Sequence, residues 1–446
     1  MRRRGWTVFW ALLLCLALAG GRLGTVCLRP AYSAAAEQQA LFTLTVDEPR
    51  GTVYDRAGRP LTNRQTVVKT VLTPTPQTVS AVHAALTGPE LTAALAGLAG
   101  RRPFVLTTER AFAVPRALTF VCHQQVPAVQ PAVHLVGMVN GDGNGVGGLQ
   151  QIFNDRLRCT EPITVTYTGN AAGGALAGDA ANQTRPPATG SVTATLDLAA
   201  QLALEQAARI SRGAVVIQRP GSGEILAAAS FPAYSPARAD RALNDPDRPF
   251  FNRVTAAYNV GSVFKLCVAA AALEQGVSPE RTYTCTGAIT CGQEFHCHKA
   301  DGHGTLTMTQ ALARSCNPYF IDLAREVGGQ AVHDMAVKLG FGRTLPLWDD
   351  WTTDAGCLPP AEELVRSPAA LANFAIGQGS LMATPLHVNA MTACIAGGGV
   401  WYDPLLVLSL TDRDGKTTPV KSPAGRRVMS GDTAALLAAM MQTVVT

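Results

Sequence analysis

A chain of 446 residues, 47% hydrophobic and 15% charged, has room for about two to three domains, and apolar richness with few charges is the opposite of the disorder signature. The net charge of +5, from 37 basic and 32 acidic residues, is too weak and too dispersed for a nucleic-acid-binding surface. No long run of like charges forms an electrostatic tail.

At the N-terminus, Met1-Arg2-Arg3-Arg4 precedes an apolar run over 6–21. As a helix that run spans about 24 Å, short of the ~30 Å hydrocarbon core. Arg22 can snorkel and 23–28 can extend the helix. A retained transmembrane anchor at 6–28 with a cytoplasmic tail at 1–5 is the favoured reading, since basic flanks stay cytoplasmic. A cleaved signal peptide, with Ala17-Leu18-Ala19 as its cleavage pattern, is the alternative. Either one exports the rest of the chain.

Downstream, Phe42, Leu44 and Val46 alternate with Thr43, Thr45 and Asp47, the period of a strand. Asp55-Arg56-Ala57-Gly58 reads as a turn. Residues 80–100 read as one Ala- and Leu-rich helix, 140–145 as a flexible Gly/Asn loop, and 149–157 as a short helix. Residues 166–190, rich in Gly, Ala, Asn and Pro, read as a linker or exposed hairpin. They separate a first domain at 40–165 from a second at 191–446. The second opens with a strand at 192–197 and a helix at 198–210. Two apolar segments, 213–217 and 224–229, follow across Pro220-Gly221-Ser222-Gly223, a hairpin pattern. Antiparallel strands followed by long helices give an α+β fold. No Gly-rich phosphate loop or dinucleotide fingerprint occurs.

The chemistry centres on Gly261-Ser262-Val263-Phe264-Lys265-Leu266, which runs into an Ala-rich helix ended by Gly276. Ser262 and Lys265 share one face at the helix start. A serine hydroxyl is a weak nucleophile until a base takes its proton. A lysine amine is that base when its surroundings depress its pKa, and first-turn N–H groups favour developing negative charge. The bland alternative is an N-cap serine with a solvated lysine. A second element, Ser315-Cys316-Asn317 before Pro318-Tyr319-Phe320, shifts that balance.

Together these segments resemble the S-x-x-K and S-x-N elements of penicillin-binding proteins, which face one cleft. The likeness extends over most of the chain and towards class B, the monofunctional transpeptidases. Arg50-Gly51 with Asp55-Arg56-Ala57-Gly58, and His134-Leu135-Val136-Gly137 with Gly147-Gly148-Leu149-Gln150, are similar to motifs of the pedestal domain. Thr195-Leu196-Asp197 and Gln201 resemble the entry to the transpeptidase domain, and Gly377-Gln378-Gly379 with Thr384-Pro385 a late signature near the cleft. The resemblance implies a serine-transpeptidase-like α+β domain, with an antiparallel sheet and helices, on a smaller N-terminal pedestal behind one transmembrane helix. It implies that Ser262 is acylated by peptidoglycan stem peptides or β-lactams, with Lys265 as base and Ser315 as proton relay. Asn317, Gly377, Gln378 and Gly379 would bind substrate. It implies no metal and no cofactor, lipid-linked precursor as a further substrate, and a glycosyltransferase partner at the membrane.

The family's third element, K-T-G on a strand beside the nucleophile, has no match. The nearest string, Lys416-Thr417-Thr418, follows Asp412-Arg413-Asp414-Gly415 and reads as a polar hairpin turn. It also lacks the glycine that close backbone approach needs. The sequence stops within an expected helix, which reads as truncation before the last sheet strands. Losing one oxyanion donor costs about 3–4 kcal/mol, so 1–446 is expected to be poorly active or inactive. A penicillin-binding sensor or scaffold without turnover, and a β-lactamase, are the rival functions.

The chain carries 11 cysteines. Cys285, Cys291 and Cys297 form C-x5-C-x5-C, with His296, His298 and His303 nearby. This fits none of the usual C-x2–4-C zinc pairs. An extracytoplasmic disulfide is favoured, Cys285–Cys297 being one pairing, with one cysteine of the three left over and the choice among them open. Unpaired thiols are the alternative.

Overall fold

The computed structural model describes residues 2–27, 41–100, 102–168, 182–184 and 188–445. The chain forms two compact units, Met1–Arg50 with Gln65–Gln124 and Cys159–Ala188, and Gly51–Arg64 with Gln125–Arg158 and Thr189–Thr446. Segments 51–64 and 125–158, read from sequence as part of a domain at 40–165, cluster with the second unit.

In the first unit, the helix Arg2–Cys27 contains Gly5–Cys27, whose 23 residues are long and apolar enough to cross a membrane. Leu41–Asp47 pairs antiparallel with Ile163–Thr168. Thr66–Leu72 is the middle strand between Phe104–Thr108 and Leu118–His123. Strand alternation sends Val46, Val71, Ile163, Val165 and Tyr167 into one buried cluster with Phe42 and Phe120.

The helix expected at 80–100 is instead two, Pro76–Ala85 and Gly88–Leu98. Leu86 and Thr87 are extended, with φ of −112° and −138°. Pro89 disfavours helical backbone at the residue before it, and Gly88 sits at φ +57°. The break lets both helices cover Leu72 and Leu106 through Val82, Leu86 and Ala94. Of the expected linker, 169–181 and 185–187 lie outside the described residues, while Asn182–Gln183 pairs with Ile163–Thr168.

The second unit is organised around the helix Lys265–Glu274, buried at every side chain from Lys265 to Ala272. A helix apolar all round belongs in an interior. Its run of alanines leaves room for Asn317–Val327, Gly329–Lys338 and Gly431–Gln442 to pack against it. Gly213–Gln218 and Ile225–Phe231 form the expected antiparallel hairpin. Ser191–Ala194 lies between Val53–Tyr54 and Val407–Thr411, with Thr417–Pro419 completing a four-stranded sheet. The result is the expected α+β fold.

Two local expectations fail for identifiable reasons. Residues 140–145 are not a flexible loop, because Met138–Val139 pairs with Gly145–Val146. Asn140 Oδ1 accepts the N–H groups of Asp142 and Asn144 and closes the turn on itself. The helix at 149–157 divides into Gly148–Ile152 and Asn154–Leu157. At the division, the Phe153 ring packs on Trp348 with centroids 5.0 Å apart.

The segments read as family motifs become structural locks within this unit. Asp55 is fully buried. Its carboxylate accepts the N–H groups of Ala57, Arg59 and Leu198 at 2.9, 2.8 and 3.1 Å. Arg59 bridges Asp55 and Asp197. Burial alone would push the Asp55 carboxyl up, but the Leu198 N–H and the Arg59 guanidinium outweigh it and hold it below its ordinary value. Gln201 clamps the strand Ile225–Phe231 at Ala228, accepting its N–H at 2.9 Å and donating to its carbonyl at 3.0 Å.

Candidate active site

The nucleophile segment is fixed from both sides. Upstream, Tyr258–Asn259 pairs antiparallel with Met382–Ala383. Downstream, the 3-10 turn Gly261–Phe264 feeds directly into the helix Lys265–Glu274. Between them, the Gly261 N–H donates to the Gly377 carbonyl at 2.8 Å. Both glycines have positive φ, +67° and +72°. A Cβ built on Gly377 would overlap the Gly261 backbone, so only glycine fits. Phe264 anchors the turn, its ring 5.4 Å from Phe341 and 4.7 Å from Phe374. Ser262 is thereby left exposed while Lys265 is buried.

Ser315 arrives from the turn after the helix Met308–Ala313. Its φ is +48°, a left-handed conformation that costs a non-glycine residue about 1–2 kcal/mol. Backbone bonds on either side hold it there: Ser315 N–H to Leu312 O at 3.0 Å and Cys316 N–H to Ala311 O at 2.9 Å. Cys316 is the N-cap of Asn317–Val327, and the Asn317 side-chain amide donates to His296 O at 3.3 Å.

The two segments meet at the Lys265 amine. Nζ lies 3.1 Å from Ser262 Oγ, 2.9 Å from Ser315 Oγ, 2.8 Å from Ser315 O and 2.8 Å from Asn317 Oδ1. Ser315 Oγ donates to Ser262 Oγ at 2.9 Å. Each of the three groups is therefore in hydrogen-bond reach of the other two. Two of the four oxygens are hydroxyls, which donate as well as accept, so the cluster can accommodate a neutral amine whose N–H groups face Ser315 O and Asn317 Oδ1 and whose lone pair faces a serine hydroxyl. Burial pushes Lys265 down to about 8, against the opposing influence of Cys316 and Cys297. Such an amine can exchange a proton with a serine near neutral pH.

The remaining expected residues divide. Gly377 is buried against the nucleophile turn, whereas Gln378 and Gly379 are exposed beside it. Lys416-Thr417-Thr418 is an exposed hairpin: Lys416 N–H donates to Asp414 Oδ1 at 3.1 Å, and Thr417 Oγ1 meets Thr411 Oγ1 at 2.9 Å. Among the described residues, nothing in 416–418 bonds to Ser262, Lys265 or Ser315. Thr384, which opened a family-like dipeptide, caps Pro385–Ala396 in a reciprocal box with His387. His387 Nε2 lies 2.8 Å from Arg343 O, and burial holds that imidazole below its ordinary value.

A disulfide between Cys285 and Cys297 is not formed; these two and Cys291 are free thiols. Cys291 does not join the other two, because its hairpin turns it towards Pro368 O at 3.2 Å. Cys316, hidden as the middle residue of S-x-N, takes that place beside them.

An exposed serine, a buried lysine and a second serine within one triangle, on an α+β domain, form an arrangement that can carry out serine acyl transfer. Residues 213–446 match the penicillin binding protein transpeptidase domain, and the chain belongs to that family. It is 29% identical over 337 residues to penicillin-binding protein PbpB of Mycolicibacterium smegmatis, covering 72% of this chain and 50% of that one. The chain thus spans about half the length of the curated relatives it matches. A solved structure of penicillin-binding protein A from M. tuberculosis, a ceftriaxone acyl-enzyme complex, aligns with a TM-score of 0.54 and 28% identity over 58% of this chain and 63% of that one. A structure describing polymerization and crosslinking by a peptidoglycan synthase complex aligns with a TM-score of 0.65 and 25% identity over 98% of this chain and 84% of that one.

Proposed function

We propose that this protein is a peptidoglycan D,D-transpeptidase. The observation that carries the reading is the contact of one buried amine with both serine hydroxyls and the Asn317 carbonyl oxygen. Ser262 Oγ attacks the penultimate D-Ala carbonyl of a stem peptide, and its proton passes to the neutral Lys265 amine. The tetrahedral intermediate collapses to an ester on Ser262. The terminal D-Ala leaves with a proton delivered through Ser315. The amine of a neighbouring stem peptide then attacks the ester, forms the cross-link and frees the serine. Asn317, with Gln378 and Gly379, lines the approach and binds the peptide, while buried Gly377 holds the turn before Ser262. A β-lactam enters by the same first step and stays as the ester.

The anchor reading places Gly5–Cys27 across the membrane, with Arg2, Arg3 and Arg4 on the cytoplasmic side and the site outside. Residues 40–165, apart from the segments 51–64 and 125–158 that cluster with the second unit, act as a pedestal, 166–190 as a linker and 191–446 as the transpeptidase domain. Lipid-linked precursor reaches the site through a glycosyltransferase partner. The likeness to a chain of a peptidoglycan synthase complex supports that partner.

The test is fluorescent penicillin applied to the full chain in detergent, beside Ser262→Ala. Label on the wild type and none on the variant is expected. Equal labelling of both would remove Ser262 from the mechanism. The position of Lys416-Thr417-Thr418 in an exposed hairpin favours a second reading, a penicillin-binding sensor without turnover. Cross-linking of polymerised precursor separates the two: a labelled protein that never cross-links is the sensor.

A further inference from the structure

The sulfur cluster behind Ser315 has no part in the proposed reaction, yet it is more ordered than a set of spare thiols requires. Cys285, Cys297 and Cys316 are buried and His303 is half-buried. Their three Sγ atoms and one imidazole nitrogen all lie within 4.8 Å of one another. Cys297 Sγ and His303 Nδ1 are 3.4 Å apart.

The four residues come from four pieces of backbone that the fold holds at close quarters. Cys285 ends the strand Tyr283–Cys285. That strand pairs with Gly304–Leu306, with Cys285 opposite Gly304, so His303 is brought beside it. Cys297 follows Gln293–His296, and its N–H donates to Gly287 O at 2.8 Å. Cys316 opens Asn317–Val327. Glycines permit the crowding: a Cβ on Gly302 would overlap the Cys285 carbonyl, and one on Gly287 would overlap the Ala300 carbonyl. The N–H groups of Gly287 and His303 also point at Cys285 sulfur.

We infer that Cys285, Cys297, His303 and Cys316 bind a zinc ion in a closed tetrahedral site. Zinc holds thiolate sulfur at about 2.3 Å and imidazole nitrogen at about 2.0 Å, which sets neighbouring ligand atoms ~3.6–3.8 Å apart. The cluster needs only a small contraction to meet that. Three thiolates and one imidazole complete a structural zinc site without an open position for water. The metal-free expectation is thereby revised. The C-x5-C-x5-C reading had the wrong third cysteine.

The site's use follows from its place in the chain. Cys316 sits between Ser315 and Asn317, and Cys297 follows His296, whose carbonyl receives the Asn317 amide at 3.3 Å. The ion therefore ties down the C-terminal side of the Ser315 turn, whose left-handed backbone is otherwise strained. It positions Ser315 and Asn317 against Lys265 and takes no part in bond making.

Metal analysis of the full chain, purified in detergent without chelator, tests this apart from any reaction. Zinc equimolar with the chain is expected, and cobalt exchanged into the site should show the ligand-field bands and thiolate charge transfer of a tetrahedral centre. Cys297→Ser and His303→Ala should lose the metal. Cys291→Ser and His298→Ala, neighbours outside the quartet, should keep it. Stripping zinc from the wild type should lower penicillin labelling by about 10-fold or more, because a 1 Å misplacement near reacting groups can cost about 100-fold; zinc should restore it. A reduced wild-type chain that takes up neither zinc nor cobalt, equimolar iron instead of zinc, or a disulfide among these cysteines would overturn the inference, whether or not penicillin labels Ser262.

Discussion

The two halves of the serine–lysine–serine triangle reach the same place by opposite means. On the nucleophile side, Ser262 and Lys265 sit at the start of a helix whose first eight side chains are all buried. Phe264 locks the turn between two aromatic rings. Position there comes from apolar packing, which is cooperative and leaves little freedom. On the other side, Ser315 sits on a left-handed turn next to sulfur and imidazole rather than hydrocarbon. Position there comes from a few directed polar contacts. Packing tolerates loss of one hydrogen bond, whereas a strained turn held by few bonds does not. The nucleophile side should therefore break only when its backbone or its reacting atoms change, and the Ser315 side whenever its local chemistry does.

The largest effect expected is Ser262→Ala, which should abolish covalent penicillin labelling while leaving the melting temperature within the range of an ordinary exposed substitution. A destabilised Ser262→Ala chain would contradict the claim that packing and backbone pairing, not the Ser262 hydroxyl, hold this side. Next is Lys265→Ala. It removes the proposed base and should slow acylation by roughly 100- to 10,000-fold, read as labelling rate at saturating penicillin. It also takes the amine donor away from Ser315 O and Asn317 Oδ1, so this variant should lose stability where Ser262→Ala does not.

Gly377→Ala attacks the nucleophile side through its backbone. The residue sits at φ +72° and a Cβ would overlap Gly261. A loss of about 2 kcal/mol or more of stability is expected, measured by urea unfolding, with slower acylation because Gly261 precedes Ser262. A neutral outcome would mean that the close approach of these two turns is not needed. The wild type gives a smaller effect through pH. Only a neutral Lys265 can accept the Ser262 proton, and burial sets that group at about 8. Acylation should rise as pH increases through about 8, gaining roughly tenfold from pH 7 to the plateau. A rate flat over that window would assign the proton to another group.

How legible each side was from sequence follows from the same contrast. Ser262 and Lys265 are three residues apart on one helix, and helical period states their proximity directly. Gly377 was readable only through family likeness, since its reason is a backbone approach across more than a hundred residues. The Ser315 side was half legible: the S-x-N element stood out, but Cys316 was read as its spacer. Cys285, Cys297 and His303 reach Cys316 only through a strand pairing and a helix N-terminus that no local spacing announces. Regular spacing instead promoted Cys291, which a two-stranded hairpin turns towards Pro368. The same limit produced the errors at 80–100 and 140–145, where composition was right and one proline or one asparagine decided the path of the chain.

The smallest expected effect separates strain from chemistry on the Ser315 side. Ser315→Ala and Ser315→Gly both delete the hydroxyl that donates to Ser262 Oγ, so both should slow acylation to the same degree. They differ in the backbone. Alanine must keep φ near +48° at a cost of about 1–2 kcal/mol. Glycine adopts it freely but gives up about 0.5–1 kcal/mol of unfolded-chain entropy. The glycine variant should therefore be the more stable by about 0.5–1 kcal/mol, measured by urea unfolding with zinc present in both samples. If the alanine variant is instead as stable as the glycine one, the turn is not strained, and the ligands around Cys316 hold nothing that the backbone would not hold alone.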